Sequence, residues 1–200
     1  MLLFGSRLID TPILSLQTGG SIGKTKKPII DPAKLNIAAY YLHGPLVDKA
    51  SANVLRIDEV RELSPVGMII DSIDDLVDIS DIVRLKKTAD LNFELVGHKV
   101  VTKNGKRLGA VTDYTVDAGS FTVQQIIVRR PLMRSFNEPE LTIHRSQILE
   151  IDDHKVIVKD EVKRVSTAAV KSGNMSSFVN PFRKEAINVE SVTADPVEHS

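Results

Sequence analysis

The sequence predicts an all-β fold: two small β-barrels in tandem, joined by a short helix and followed by a disordered C-terminal tail. Three observations predict it. An apolar pattern recurs along the chain, short Val/Ile/Leu runs alternate with tight-turn signals, and the composition changes after Ser166. The expected boundaries are 4–77 for the first barrel, 78–90 for the helix, 91–164 for the second barrel and 165–200 for the tail.

Self-similarity at a fixed spacing is the signature of duplicated units. Arg7-Leu8-Ile9-Asp10-Thr11-Pro12-Ile13-Leu14 aligns with Glu94-Leu95-Val96-Gly97-His98-Lys99-Val100-Val101. After a one-residue adjustment Ile22-Gly23 falls on Leu108-Gly109, Ile30-Asp31 on Val116-Asp117, Leu35 and Ile37 on Phe121 and Val123, and Tyr40-Tyr41-Leu42 on Ile126-Ile127-Val128. Pro45-Leu46 then meets Pro131-Leu132, and Leu55, Val60, Leu63 and Ile69-Ile70 meet Ile143, Ile148, Ile151 and Ile157-Val158. Apolar matches arise readily in β-rich chains. Coincident Gly, Asp and Pro-Leu positions do not, and they carry the duplication.

The second copy reads strand by strand. Val100-Val101-Thr102 precedes Asn104-Gly105, the strongest short hairpin signal because its turn positions favour φ > 0. Leu108 to Val116 returns as a long strand in which Gly109 permits a bulge or a close backbone contact. Asp117-Ala118-Gly119-Ser120 turns into a third strand, Phe121 to Val128. Leu141-Thr142-Ile143 is a fourth. Ile148 to Ile151 and Lys155 to Val158 form a last hairpin around Asp152-Asp153-His154. Short strands with regular turns favour a closed or half-closed barrel, which protects strand edges. Between the copies, Asp78 or Ser80 offers an N-cap, Lys86-Lys87 suits a helix C-terminus, and Ile82, Leu85 and Ala89 recur at helical spacing. This predicts about three helical turns.

Composition narrows the function. The 200 residues hold 26 basic and 26 acidic side chains, so no global field draws the protein to nucleic acid or membrane. There is no cysteine, which excludes disulfides and thiolate chemistry and fits a reducing cytoplasm. Met1 to Arg7 lacks the charged and long apolar regions of a signal peptide. No run approaches the roughly 18 apolar residues of a membrane span. The expectation is a cytoplasmic protein.

Gly19-Gly20-Ser21-Ile22-Gly23-Lys24-Thr25 imitates a phosphate-binding loop. Its spacing is wrong, and Lys26-Lys27-Pro28 follows where a helix must start, so it reads as a hairpin turn. Asp71, Asp74, Asp75, Asp78 and Asp81 lack the ligand pattern of a calcium loop and read as turn and cap residues. His43, His98, His144, His154 and His199 are scattered and read as solvated. No catalytic residue, metal or cofactor is expected.

Phe93-Glu94-Leu95-Val96-Gly97-His98-Lys99-Val100-Val101, Asn104-Gly105-Lys106-Arg107-Leu108-Gly109 and Val111-Thr112-Asp113 resemble the opening of a PRC-barrel domain. Ile143-His144-Arg145-Ser146-Gln147-Ile148-Leu149-Glu150-Ile151 with Val156-Ile157-Val158 resembles its closing hairpin. The first copy, Leu8 to Ile70, is less close, with Gln17-Thr18-Gly19-Gly20-Ser21 in place of the Asn-Gly-Lys turn. This barrel is shared by the photosynthetic reaction-centre H subunit and the C-terminal domain of a 16S rRNA-processing, ribosome-maturation factor. The resemblance implies a non-enzymatic adaptor that docks a protein partner. A ribosomal protein or RNA is the alternative partner it suggests. The best candidate surface is Arg129, Arg130, Leu132, Met133, Arg134 and Phe136, an apolar loop rimmed by arginines. The tail island Phe178-Val179-Asn180-Pro181-Phe182-Arg183 is either a linear motif or a patch that folds back on the barrel. The second copy is expected to bind and the first to support it.

Overall fold

The computed structural model describes residues 1–47, 52–131 and 140–160. Both sheets lie in one compact unit, Met1–Ala169. Among the described residues the fold is mostly β, with one α-helix and two seven-stranded sheets.

The first sheet holds β2 (Pro12–Ser15), β3 (Gly20–Asp31), β4 (Asn36–His43), β5 (Val54–Arg56), β6 (Glu62–Ser64), β7 (Gly67–Ile70) and β8 (Leu76–Val77), in the order β6-β7-β2-β3-β4-β5-β8. The second holds β9 (Lys99–Thr102), β10 (Arg107–Asp117), β11 (Val123–Arg129), β12 (Glu140–His144), β13 (Ile148–Ile151) and β14 (Lys155–Val158), in the order β12-β11-β10-β9-β14-β13. Its seventh strand, β1 (Leu2–Phe4), comes from the N-terminus and pairs with β10. Among the described residues no pairing joins the two ends of either sheet, so neither closes into a barrel by hydrogen bonds.

The two sheets repeat one topology. β2 runs parallel to β7 as β9 does to β14, and every other pairing within the sheets is antiparallel. The register repeats as well. Ile13 opposes Gly23 and Met68, and Val100 opposes Gly109 and Val156. Irregularities fall at equivalent places, Thr25/Lys27 and Ile29/Ile30 in β3, Val111/Asp113 and Thr115/Val116 in β10. Chance likeness between apolar strands would not reproduce bulges, which need their own local backbone.

The matched residues do matched jobs. The Asp31 carboxylate accepts from the Ala33 and Lys34 N–H groups, and Asp117 accepts from those of Gly119 and Ser120. These are Asx turns. Leu35 (φ 52°) and Phe121 (φ 50°) follow them in the left-handed region, with both side chains buried. Phe121 therefore belongs to the turn, and the third strand starts later than the sequence predicts. The Ser120 and Gly119 N–H groups hold the Asp117 carboxyl below its ordinary pKa of 3.8. Its folded pKa lies below its unfolded one, so its contribution is complete at neutral pH and is lost as pH falls through the carboxylate range. A carboxyl NMR titration is expected to place the Asp117 midpoint below 3.8. An unshifted midpoint would remove this cap from the account.

Two local expectations need correction. In the Asn104-Gly105 turn only Gly105 takes positive φ (79°), so it is not the two-residue primed turn. The predicted helix 78–90 is two elements. A 3-10 turn, Ile79–Asp81, is capped by the Asp78 carboxylate on Ser80 N–H, and α1 (Val83–Asp90) begins only after Ile82, which is extended. α1 packs Leu85 on Ile29, Ala39 and Val54, the outer face of the first sheet.

A single apolar core runs through both sheets, from Ile13, Ile22, Ile37 and Tyr40 to Val100, Ile126, Ile143 and Val156. Among the described residues the Tyr40 hydroxyl lies in it without a hydrogen-bond partner, and burial pushes that group well above its usual pKa. A buried, unpaired hydroxyl costs about 1–3 kcal/mol of lost hydration. Tyr40→Phe is therefore expected to leave stability unchanged or raise it by about 1 kcal/mol. A clear loss on denaturant titration would show that the hydroxyl is bonded in solution.

Candidate functional site

Of the arginine loop, the described part is Arg129, exposed at the end of β11, half-buried Arg130 and exposed Pro131. Leu132, Met133, Arg134 and Phe136 lie outside the described residues, as does the Phe178–Arg183 island. In the first repeat the described part of the equivalent loop leaves Pro45 and Leu46 exposed and turns Val47 inward. Val47 is fully buried and its methyl lies where a Cβ on Gly23 would point. A hollow of about 310 Å³ opens beside it, bordered by Ile22, Lys24, His43, Pro45 and Leu46.

A second concavity, about 370 Å³, lies between the repeats. Ile9, Ile30, Phe93, Val96 and Tyr114 give it an apolar lining, and Lys26, Lys27, Glu94 and Asp113 stand around it. The chain builds it from segments that lead into each repeat. The 3-10 turn Gly5–Leu8 crosses onto β10, with Gly5 so close to the Tyr114 ring that a Cβ has no room. There the Ser6 hydroxyl donates to Asp113 at 2.6 Å and the Ser6 N–H donates to the same carboxylate at 3.1 Å. On the other side, Lys27 of β3 donates to Asn92 Oδ1 at 2.9 Å and pairs with Glu94 at 2.6 Å. Both partners of that pair are substantially exposed, so it positions the segment and is worth at most about 1 kcal/mol. Burial, then the Asp113 charge, raises the Tyr114 hydroxyl far above its normal range, so it stays neutral.

The histidines among the described residues do not converge. His98 is buried, contrary to the solvated expectation, and its Nε2 bonds the Asp152 carbonyl at 3.1 Å while its ring tilts against Phe93. His144 caps the 3-10 turn Arg145–Gln147 through Ser146. His43 pairs with Asp10 at 3.2 Å. Among the described residues no three His, Asp or Glu side chains are placed to hold a metal. The acidic cluster is occupied locally: Asp71 pairs with Arg61, Asp75 closes a capping box with Ser72, and Asp78 caps Ser80. Gly19–Thr25 leads along β3 and not into a helix, and the turn itself spans 16–19.

The inter-repeat cleft was not identified from sequence. The available signal was that Ile9 and Val96 align as apolar residues just ahead of the first strand of each copy. Among the described residues no helix is long and apolar enough to cross a membrane.

No curated protein matches the chain. Residues 88–165, which contain the strands β9 to β14, match the family model of the PRC-barrel domain.

Proposed function

We propose that this protein is a non-catalytic, cytoplasmic adaptor built of two tandem PRC-type barrel units, and that it docks a protein partner. The observation that carries the reading is the inter-repeat cleft. It has an apolar lining, a size that accepts one or two side chains, and a rim on which Lys27 pairs with Glu94 and Ser6 binds Asp113. Such a hollow suits an anchoring side chain from a partner, with the rim excluding water. Val96, 48% exposed at its edge, is the residue a partner would cover. The arginine loop after β11 is the second contact, where Arg and Met favour an interface core.

The test is cross-linked capture with the intact chain, Val96→Asp and Arg130→Ala/Leu132→Asp. Loss of the same specific partners with Val96→Asp supports the cleft, and loss with the loop variant supports the loop. Unchanged capture with both, from folded variants, overturns the docking reading.

A role in ribosome assembly is the second reading, favoured by Arg129 lying exposed beside Arg130. Contacts to RNA phosphate would weaken steeply with salt. Co-sedimentation with small-subunit precursors at low salt that is lost at moderate salt supports it. Absence from those fractions at both salts removes it.

A further inference from the structure

We propose that the face joining the two repeats is a homotypic docking face, and that the partner it fits is another unit of the same fold. The contacts across it come in equivalent pairs. Ile37 N–H donates to the Phe121 carbonyl at 3.0 Å, and Val123 N–H donates to the Leu35 carbonyl at 2.8 Å. Leu35 and Phe121 are equivalent in the two sheets, as are Ile37 and Val123, so exchanging the repeats turns one bond into the other. Between them Asn36 forms an antiparallel bridge with Thr122, its own equivalent. That pair maps onto itself and marks where a local two-fold axis passes.

The same exchange relates the edges of the face. The segment leading into the first repeat crosses to the second, where Ser6 binds Asp113 of β10. The segment leading into the second repeat crosses to the first, where Asn92 and Glu94 bind Lys27 of β3. Lys27 and Asp113 occupy equivalent registers, opposite Tyr41 and Ile127. The cleft obeys the relation too: Ile9 faces it from one side and Val96 from the other, with Pro28 and Tyr114 as a second equivalent pair. An interface in which residue i meets j and j meets i is isologous, the arrangement of a two-fold homodimer. Here one chain supplies both partners. The cleft is then a composite site that neither repeat forms alone. This inference rests on the equivalence of the two sheets and not on what the protein docks.

The test uses the full chain with a protease site inserted between Ser80 and Asp81, both exposed. After cleavage the halves are expected to stay together as a one-to-one complex at micromolar concentration. Ile37→Pro removes one bridging N–H and Val123→Pro removes its mate, and each is expected to release the cleaved halves to a similar extent. A triple exchange, Leu35→Phe with Asn36→Thr and Ile37→Val, places the second repeat's residues in the first. It is expected to leave the uncleaved chain folded and the cleaved halves associated. Separation of the unsubstituted halves overturns the proposal. So does unchanged association of the cleaved halves in both proline variants.

Discussion

Gly109→Val is expected to cost about 3 kcal/mol or more, enough to unfold much of the population of a marginally stable domain. Two effects add. Gly109 sits at φ 157°, a backbone state that residues with a Cβ rarely adopt, and a Cβ there would run into the carbonyl oxygen of Arg129 on the neighbouring strand. Neither atom can yield, because both are backbone in the ladder between β10 and β11. Denaturant titration of the variant should show a midpoint shift with an unchanged slope. A shift worth less than about 1 kcal/mol would mean that β10 relaxes at its bulge. The first repeat builds the same contact more loosely: a Cβ on Gly23 would lie 2.8 Å from the His43 carbonyl oxygen. Gly23→Val should therefore destabilise less than Gly109→Val.

Ile126→Ala is expected to lose roughly 2–5 kcal/mol. Ile126 is fully buried in the middle of β11, between Tyr114 on β10 and Ile143 on β12. Cutting it back leaves a cavity walled by two paired strands, which cannot close around it. The contrast with Tyr40 is informative, because Tyr40 holds the same position in the first sheet, between Pro28 and Leu55. Ile126→Ala removes packing and must destabilise. Tyr40→Phe keeps the ring and removes only an unpartnered hydroxyl, so its sign is expected to be zero or opposite. Calorimetry on the two variants tests whether one continuous core supports both sheets. Melting of Ile126→Ala in two separate steps would show instead that the sheets unfold independently.

Much of the fold was legible because the informative residues serve local backbone needs. Gly109 marks a close approach of strands, Asp31 and Asp117 cap the turns that follow them, and short Val/Ile runs alternate with those turns. Such features recur in a duplicated sequence because each copy must solve the same local problem. The connecting helix was only partly legible. Asp78 and the Ile82–Leu85–Ala89 spacing are genuine signals, but Asp78 caps a 3-10 turn and Ile82 interrupts the helix to pack on the first sheet. His98 read as solvated because nothing nearby in sequence announces the Asp152 carbonyl that it binds.

By itself the sequence determined the β class, the recurrence of one apolar and turn pattern in two copies, and the likeness of the second copy to a PRC barrel. Tertiary structure decided how the repeats meet. The N-terminal strand leaves its own repeat to pair with β10, and α1 lies across the first sheet. Leu35 and Phe121 turn their carbonyls outward to a partner strand segment in the other repeat. The physical reason is that these contacts join residues far apart in the chain. Their cost is chain entropy and their return is buried apolar surface, and neither leaves a local pattern. The cleft follows from that meeting, and so it came into view only with the fold.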